Sequence, residues 1–305
     1  MKRFFWGLGL FILLVFPVKA EPKATIYFEM EDPVMDDSGY GNYQYPTHKA
    51  FEPYRGIFDI TKFKVWSDQP GMVYFETTFA KVTNPWQAPE GFIHQNLRIY
   101  LDTIPKVGLT QLPEKGANVS FDPRYGWDFG LKVVGWGNSK IFKYEGNVIK
   151  RYPLTASLLA DQRTVRVSVP VSLIGLPIKK WNYYVFVGSY DGFGEDFFRK
   201  IAREPSEWLI GGSKGSVAEP RIMDLLASEQ GNYIQKNQLQ TYDLSKQKFA
   251  MLYPVGATLK PSSLGRWLLN LILLIFLSGV IYGGYLMIRG KGKISWFWIK
   301  NNSKV

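Results

Sequence analysis

The chain has 305 residues, contains no cysteine and carries a formal net charge of +11. The absence of cysteine excludes disulfides, zinc–thiolate sites and thiol nucleophiles. Most of the excess positive charge lies at the two ends: Lys2, Arg3 and Lys19 near the start, and five basic residues after Ile288, which leaves +3 for the rest. A nucleic-acid-binding protein concentrates its basic residues on the folded part, so we expect no nucleic-acid partner.

The first residues have the pattern of a secretory signal peptide. Lys2 and Arg3 precede an apolar run from Phe4 to Val18, and the small-residue pattern of a signal-peptidase site ends at Ala20. The pattern predicts a signal peptide over residues 1–20. We therefore expect the domain that follows to lie outside the cytoplasm.

Residues 21–252 predict an all-β domain, an antiparallel β-sandwich. Short segments with alternating apolar residues are bounded by Gly, Pro, Asn or Asp, as strands of such a sandwich are. Helical periodicity is scarce in this part, and only residues 221–227 favour one or two helical turns. The segments that we expect to form strands are 72–79, 97–101, 130–134, 164–169 and 183–187.

The C-terminal part predicts a membrane anchor. Residues 253–265, rich in Pro, Gly and Ser, indicate a short stalk, and residues 266–288 a transmembrane helix. Its 22 residues from Trp267 to Ile288 carry no charge, enough for a helix to cross a bilayer. The basic tail, 289–305, is expected in the cytoplasm because basic residues favour that side. The alternative is a helix buried within a soluble fold.

Many short motifs between residues 25 and 250 resemble one known family, the C-terminal domain family of glucodextranase. Their order and number make the resemblance more specific than any one of them. They include Asp32-Pro33, Asp36-Asp37-Ser38-Gly39, Tyr45-Pro46-Thr47, Asn84-Pro85-Trp86, Gly126-Trp127-Asp128, Gly135-Trp136-Gly137, Gly188-Ser189-Tyr190-Asp191-Gly192, Arg199, Glu207-Trp208 and Ile222-Met223-Asp224.

This resemblance implies an accessory module of amylolytic enzymes. The implied fold is a β-sandwich similar to family nine carbohydrate-binding modules, and the implied function is binding to carbohydrate or to the cell surface. In glucodextranase the catalytic work belongs to a separate helical-barrel domain. We therefore expect this chain to bind without hydrolysing.

Four tryptophans in loop-like contexts are candidates for stacking on sugar rings, and five polar residues are candidates for hydrogen bonds to sugar hydroxyls. The alternative is that the tryptophans fill the sandwich and the polar groups satisfy turns. The tryptophans are Trp86, Trp127, Trp136 and Trp208, and the polar candidates are Asn84, Gln95, Asp128, Asp191 and Arg199.

The acidic opening of the domain is a candidate calcium site. Asp32, Asp36 and Asp37, followed by Gly39 and Gly41, offer several carboxylate oxygens on one loop, which are ligands that calcium prefers. The spacing does not fit an EF-hand. Clustered aspartates also close turns without any metal, and this alternative stays open.

We expect a membrane-anchored, non-catalytic module whose partners are a polysaccharide or cell-surface glycan and the lipid bilayer. One alternative is a structural or interaction subunit of a membrane transporter or envelope complex, because Gly283 and Gly284 would allow close helix packing. A second alternative is a glycoside hydrolase using paired carboxylates, such as Asp191 with Glu195 or Asp196. With only two histidines, His48 and His94, a histidine-dependent triad or zinc site is not expected.

Overall fold

The computed structural model describes most of the chain between residues 24 and 259, and part of one helix near the C-terminus. None of the described helices is long and apolar enough to cross a membrane. The predicted signal peptide, the basic tail and most of the predicted transmembrane helix lie outside the described residues, so those expectations stay predictions. The described residues are 24–68, 71–194, 196–243, 245–246, 248–259, 275–282 and 285, the last two groups being helical.

The chain divides into two compact units, Met1–Ala257 and Thr258–Val305, and the first holds the described strands. In chain order these strands are β1 (Thr25–Glu31), β2 (Ile60–Ser67), β3 (Met72–Phe79), β4 (Gln95–Asp102), β5 (Val119–Phe121), β6 (Phe129–Val133), β7 (Lys140–Glu145), β8 (Val148–Pro153), β9 (Thr155–Leu158), β10 (Thr164–Pro170), β11 (Asn182–Ser189), β12 (Asp224–Leu225), β13 (Ala250–Leu252) and β14 (Val255–Gly256).

Among the described residues of the first unit, helical structure is limited to short turns. Two short α-helices are α1 (Val171–Ile174) and α2 (Gln235–Leu239), and the 3-10 turns are Lys49–Phe51, Pro123–Tyr125 and Gly231–Tyr233. The predicted all-β class is therefore confirmed. All five predicted strands are present as β3, β4, β6, β10 and β11.

Two antiparallel sheets form the sandwich. The first has five strands in the order β1-β2-β3-β10-β9, and the second has seven, in the order β12-β11-β4-β6-β7-β8 with β14 also paired to β11. The short strands β5 and β13 make a separate parallel pair. Aromatic rings from both sheets meet in the core, where Tyr183 of β11 lies 4.9 Å from Phe28 of β1 and 5.6 Å from Phe63 of β2 between ring centroids.

The second sheet is covered on both faces. Every residue of β4, β6 and β11 is buried, whereas β3 alternates between buried and half-buried residues. The face opposite the first sheet is covered by a layer that includes Phe121 and Trp127, whose rings lie 5.0 and 5.3 Å from that of Tyr100 on β4. Loops of this layer are therefore part of the core and not of the surface.

Two boundaries differ from the sequence-based expectation. Residues 221–227 do not form helical turns, because Asp224 and Leu225 pair with Val187 and Phe186 of β11 as strand β12. Part of the predicted stalk also belongs to the sandwich, since Val255 and Gly256 pair with the start of β11. The side chain of Val255 is buried, which explains why this Pro- and Gly-containing segment stays on the sheet.

Candidate functional site

Three loops meet at one end of the second sheet. Strand β4 begins at Gln95 there, whereas its antiparallel neighbours β6 and β11 end there at Val133 and Ser189. The loops before β4, after β6 and after β11 therefore lie together. They carry Trp86, Trp136 and Asp191 respectively, so the topology unites candidates that are far apart in sequence.

Trp86 and Trp208 form a half-exposed pair of rings, here called the tryptophan pair. Their exposed fractions are 42% and 41%, and their centroids lie 6.2 Å apart with the planes inclined by 32°. The imidazole of His48 stacks on Trp208 at 4.2 Å. The three rings make an aromatic surface that is open to solvent on one side.

Buried groups support this surface from behind. The ring of His94 lies 4.6 Å from Phe51 and 5.3 Å from Trp86. Neither ring nitrogen of His94 has a hydrogen-bond partner among the described residues, and burial lowers its pKa to about 4. His94 is therefore a neutral packing residue at neutral pH, and it holds Trp86 in place.

Two of the polar candidates bond to the loops that carry the tryptophans. The amide of Asn84 accepts from the Ala88 N–H at 2.8 Å and donates to the Ala88 carbonyl at 2.9 Å, which closes the loop around Trp86. The buried guanidinium of Arg199 donates to the Trp208 carbonyl at 3.1 Å and to the Tyr190 carbonyl at 2.7 Å. The Asn84 amide is thus occupied by loop backbone, and the remaining Arg199 bond runs from Nε to the Ser189 hydroxyl at 3.0 Å.

Two further exposed aromatic residues lie on the neighbouring loops. Trp136 is 50% exposed, and its loop is held by the Glu90 carboxylate, which accepts from the backbone N–H groups of Trp136 and Gly137 at 2.9 and 2.7 Å. Phe193 is completely exposed, and the Asp191 carboxylate accepts from its N–H at 3.2 Å. Asp191 is thus a turn residue, and Phe193 is an exposed ring that the sequence reasoning did not single out.

A groove of about 530 Å³ lies beside the tryptophan pair, and the same two chain segments border both. Backbone hydrogen bonds from Thr47 to Ser206 and from His48 to Glu207 join the two segments that border both features. The groove presents aromatic, guanidinium and amide groups together, from Gln44, Tyr45, Thr47, Tyr54, Arg55 and Pro205. These groups supply hydrogen-bonding capacity beside the aromatic surface.

Three of the predicted binding residues are buried. Trp127 is completely buried and donates from Nε1 to the Gln111 carbonyl at 2.8 Å. Gln95 donates to the Ile57 carbonyl at 2.7 Å. Asp128 accepts from the backbone N–H groups of Thr103 and Ile104 at 2.9 and 2.8 Å, and burial raises its pKa to about 6. Trp127 lies in the layer that covers the second sheet, whereas Gln95 bonds to the segment before β2 of the first sheet.

The carboxylates considered for hydrolysis have structural partners. Asp196 pairs with Arg221 at 2.9 Å and accepts from the Phe198 N–H at 3.1 Å. Asp191 closes the turn at Phe193, and Glu195 lies outside the described residues. These contacts account for Asp191 and Asp196 as elements of loop structure.

A second feature is the aspartate cluster, formed by Asp32, Asp36 and Asp224. One carboxylate oxygen from each lies within 4.8 Å of the others. Asp37 is not in this group, because its carboxylate accepts from the Gly56 N–H at 2.9 Å and from the Tyr45 hydroxyl. Two of the three acids considered from the sequence, Asp32 and Asp36, lie in this cluster. Its third member, Asp224, is 192 residues from Asp32 in the sequence and was not among those candidates.

The aspartate cluster brings three carboxyl groups together in a mostly buried place, which favours their protonated forms when no cation is bound. Burial, followed by repulsion from Asp36, raises the pKa of Asp32 to about 9. Burial raises the pKa of Asp36 to about 6. Burial and then repulsion from Asp32 raise the pKa of Asp224 well above its usual range. These carboxylates are the described residues best placed to hold a hard cation.

A family described as the C-terminal binding module, SLH-like, of glucodextranase has a sequence model that matches residues 27–254. No curated protein matches the sequence significantly. The matched span starts within β1 and ends before β14, and it includes the other strands of both sheets, the tryptophan pair and the aspartate cluster. The family match agrees with the antiparallel sandwich and covers about three quarters of the 305 residues. The chain therefore belongs to the family of the SLH-like C-terminal binding module of glucodextranase.

Proposed function

We propose that this protein is a membrane-anchored, non-catalytic module that binds a polysaccharide or cell-surface glycan at the tryptophan pair. The observation that carries the proposal is the half-exposed surface of Trp86, Trp208 and His48, braced from behind by buried rings. Membership of a family of binding modules supports the same function.

The chemistry of this surface suits a sugar chain. A pyranose ring has an apolar C–H face that an indole covers, and burying that face against a ring removes apolar area from water. Sugar hydroxyls need hydrogen-bond partners when they leave water. The adjoining groove offers Arg55, Gln44 and Tyr54 for that purpose. Two inclined rings beside a polar groove fit consecutive units of a polymer better than a single small molecule.

Fixed rings favour binding for a second reason. Side chains that are already ordered in the free protein lose less conformational entropy when a ligand arrives. Stacking by His48 and the Arg199 contact to the Trp208 carbonyl hold Trp208, while the Asn84 contacts close the Trp86 loop. The surface is therefore prepared for a ligand in the free protein.

The anchoring part of the proposal rests on the sequence. The uncharged stretch Trp267–Ile288 and the basic tail favour a membrane helix with the large domain outside the cytoplasm. Protease added to intact cells should then digest the large domain and leave the tail intact. Protection of the domain would contradict this orientation.

Binding is tested by affinity electrophoresis of the purified full-length protein, with detergent present, through gels containing α-glucans or polysaccharides of the organism's own envelope. We expect retardation by at least one of these polymers relative to a polymer-free gel. The matched control is Trp66→Ala, because Trp66 stacks on Tyr74 on the first sheet, 4.2 Å between centroids. Unretarded migration of a folded protein in every gel would contradict the proposal.

A further inference from the structure

The aspartate cluster contains carboxylate oxygens with no partner. Asp32 is 8% exposed, and among the described residues its Oδ2 atom has no hydrogen-bond partner. The same holds for Oδ1 of Asp36. Asp224 is completely buried. A buried carboxylate oxygen without a partner costs free energy, and a cation bound between these oxygens would remove that cost.

No basic side chain of the described part supplies that charge by an ion pair. The ion pairs of the described residues involve other carboxylates, such as Glu114 with Arg98 and Lys132, or Glu76 with Arg166. The protein thus pairs buried charges elsewhere but leaves three acids together here. A metal ion is the remaining way to neutralise them without protonation.

The backbone fixes two of the three carboxylates. Oδ2 of Asp224 accepts from the Ile60 N–H at 2.6 Å, and Oδ1 of Asp32 accepts from the Ala227 N–H at 3.2 Å. These bonds aim the carboxylates and leave Oδ2 of Asp32 free. Asp36 lies on the loop after β1, and its carbonyl accepts from the Gln235 amide at 2.7 Å. The geometry is held by residues outside the cluster.

We propose that Asp32, Asp36 and Asp224 bind one Ca²⁺ ion. Two oxygens bound to the same calcium ion at about 2.4 Å lie at most about 4.8 Å apart, and the cluster meets this limit. The donors are oxygens only, which excludes the nitrogen and sulfur ligands typical of zinc. An opening of about 390 Å³, which Asp32 and Asp36 line with Glu229 and Gln235, leaves room for water to complete the coordination.

The ion would join the two sheets. Asp32 follows the last residue of β1, an edge strand of the first sheet, and Asp224 lies in β12, an edge strand of the second. Asp224 also binds the first residue of β2 through the Ile60 N–H. A ligand that binds the folded state and not the unfolded one raises the melting temperature. Calcium should therefore stabilise the contact between the two sheets, whether or not glycan is bound.

The test is calcium binding by the full-length protein after treatment with EGTA and its removal. Isothermal titration with CaCl₂ should show one site, and the melting temperature should rise by several degrees at saturating calcium. A folded protein that gives no binding heat and no melting shift would overturn the proposal. An equal shift and equal affinity with MgCl₂ would also overturn the assignment to calcium.

Two variants separate a metal site from acidic turns. Asp36→Asn removes one charged ligand, and we expect calcium affinity to fall at least tenfold while the calcium-free protein melts no earlier, because repulsion is relieved. Asp37→Asn is the matched control, since Asp37 is the neighbouring acid but lies outside the cluster. It should keep the wild-type calcium shift, whatever its own melting temperature. Equal calcium shifts in both variants would contradict the assignment of Asp36.

Discussion

Trp127 and the tryptophan pair show how differently the same residue type is used in two regions of this molecule. All three tryptophans lie outside strands. Trp127 is completely buried, with its indole N–H bonded to the Gln111 carbonyl, whereas Trp86 and Trp208 keep about 40% of their surface exposed. A position outside the strands therefore does not determine whether a tryptophan is exposed. What decides it is whether another layer of chain covers that loop.

The largest loss of stability is expected from a substitution at Trp127. Replacing it by Ala leaves a cavity under the covering layer and an unpaired Gln111 carbonyl, so Trp127→Ala should lower the free energy of unfolding by about 3–5 kcal/mol. Urea denaturation followed by circular dichroism measures this loss. Wild-type stability of this variant would contradict the assignment of Trp127 to the core.

A smaller change in stability is expected from protonation of His94, whose ring packs between the buried Phe51 and the half-exposed Trp86. Below pH 6.5 the unfolded chain takes up a proton on this residue, but the folded protein resists protonation down to a pKa of about 4. The folded state should therefore lose stability as the pH falls from 6.5 to 4, by roughly 3 kcal/mol at most.

His94→Phe isolates this contribution, because the carboxylates titrate in both proteins. The free energy of unfolding of both proteins is measured by urea denaturation from pH 7 to pH 4.5. As the pH falls, the wild type should lose more stability than the variant. A difference that is independent of pH would show that His94 is not buried in its neutral form.

The strands that sequence alone predicted have a clear two-residue alternation or a continuous apolar run. Residues 72–79 and 183–187 are examples, and both are central to their sheets. The edge strand β8, Val148–Pro153, was missed because its side chains are mostly exposed and carry charges at Lys150 and Arg151. A strand is predicted from the pattern of its buried apolar residues, and an edge strand has the fewest of these.

The candidate site residues could be predicted only where the sequence context indicated whether the side chain is exposed. Tryptophan beside Pro or Gly correctly pointed to Trp86 and Trp136 as exposed rings, but the same context at Trp127 misled because the covering layer is made by distant residues. Asp224 could not be linked to Asp32 and Asp36, since only the pairing of β12 with β11 brings it close. Phe193 had a usable signal, because an aromatic residue between two glycines favours an exposed turn.

Titration calorimetry with a polysaccharide that retards the wild-type protein shows whether the tryptophan pair binds glycan. Trp86→Ala and Trp208→Ala should each weaken binding at least about tenfold, or about 1.4 kcal/mol, while melting close to the wild type because half of each ring faces solvent. Trp66→Ala should bind as the wild type does. Unchanged affinity in both pair variants, with their folds intact, would contradict the account.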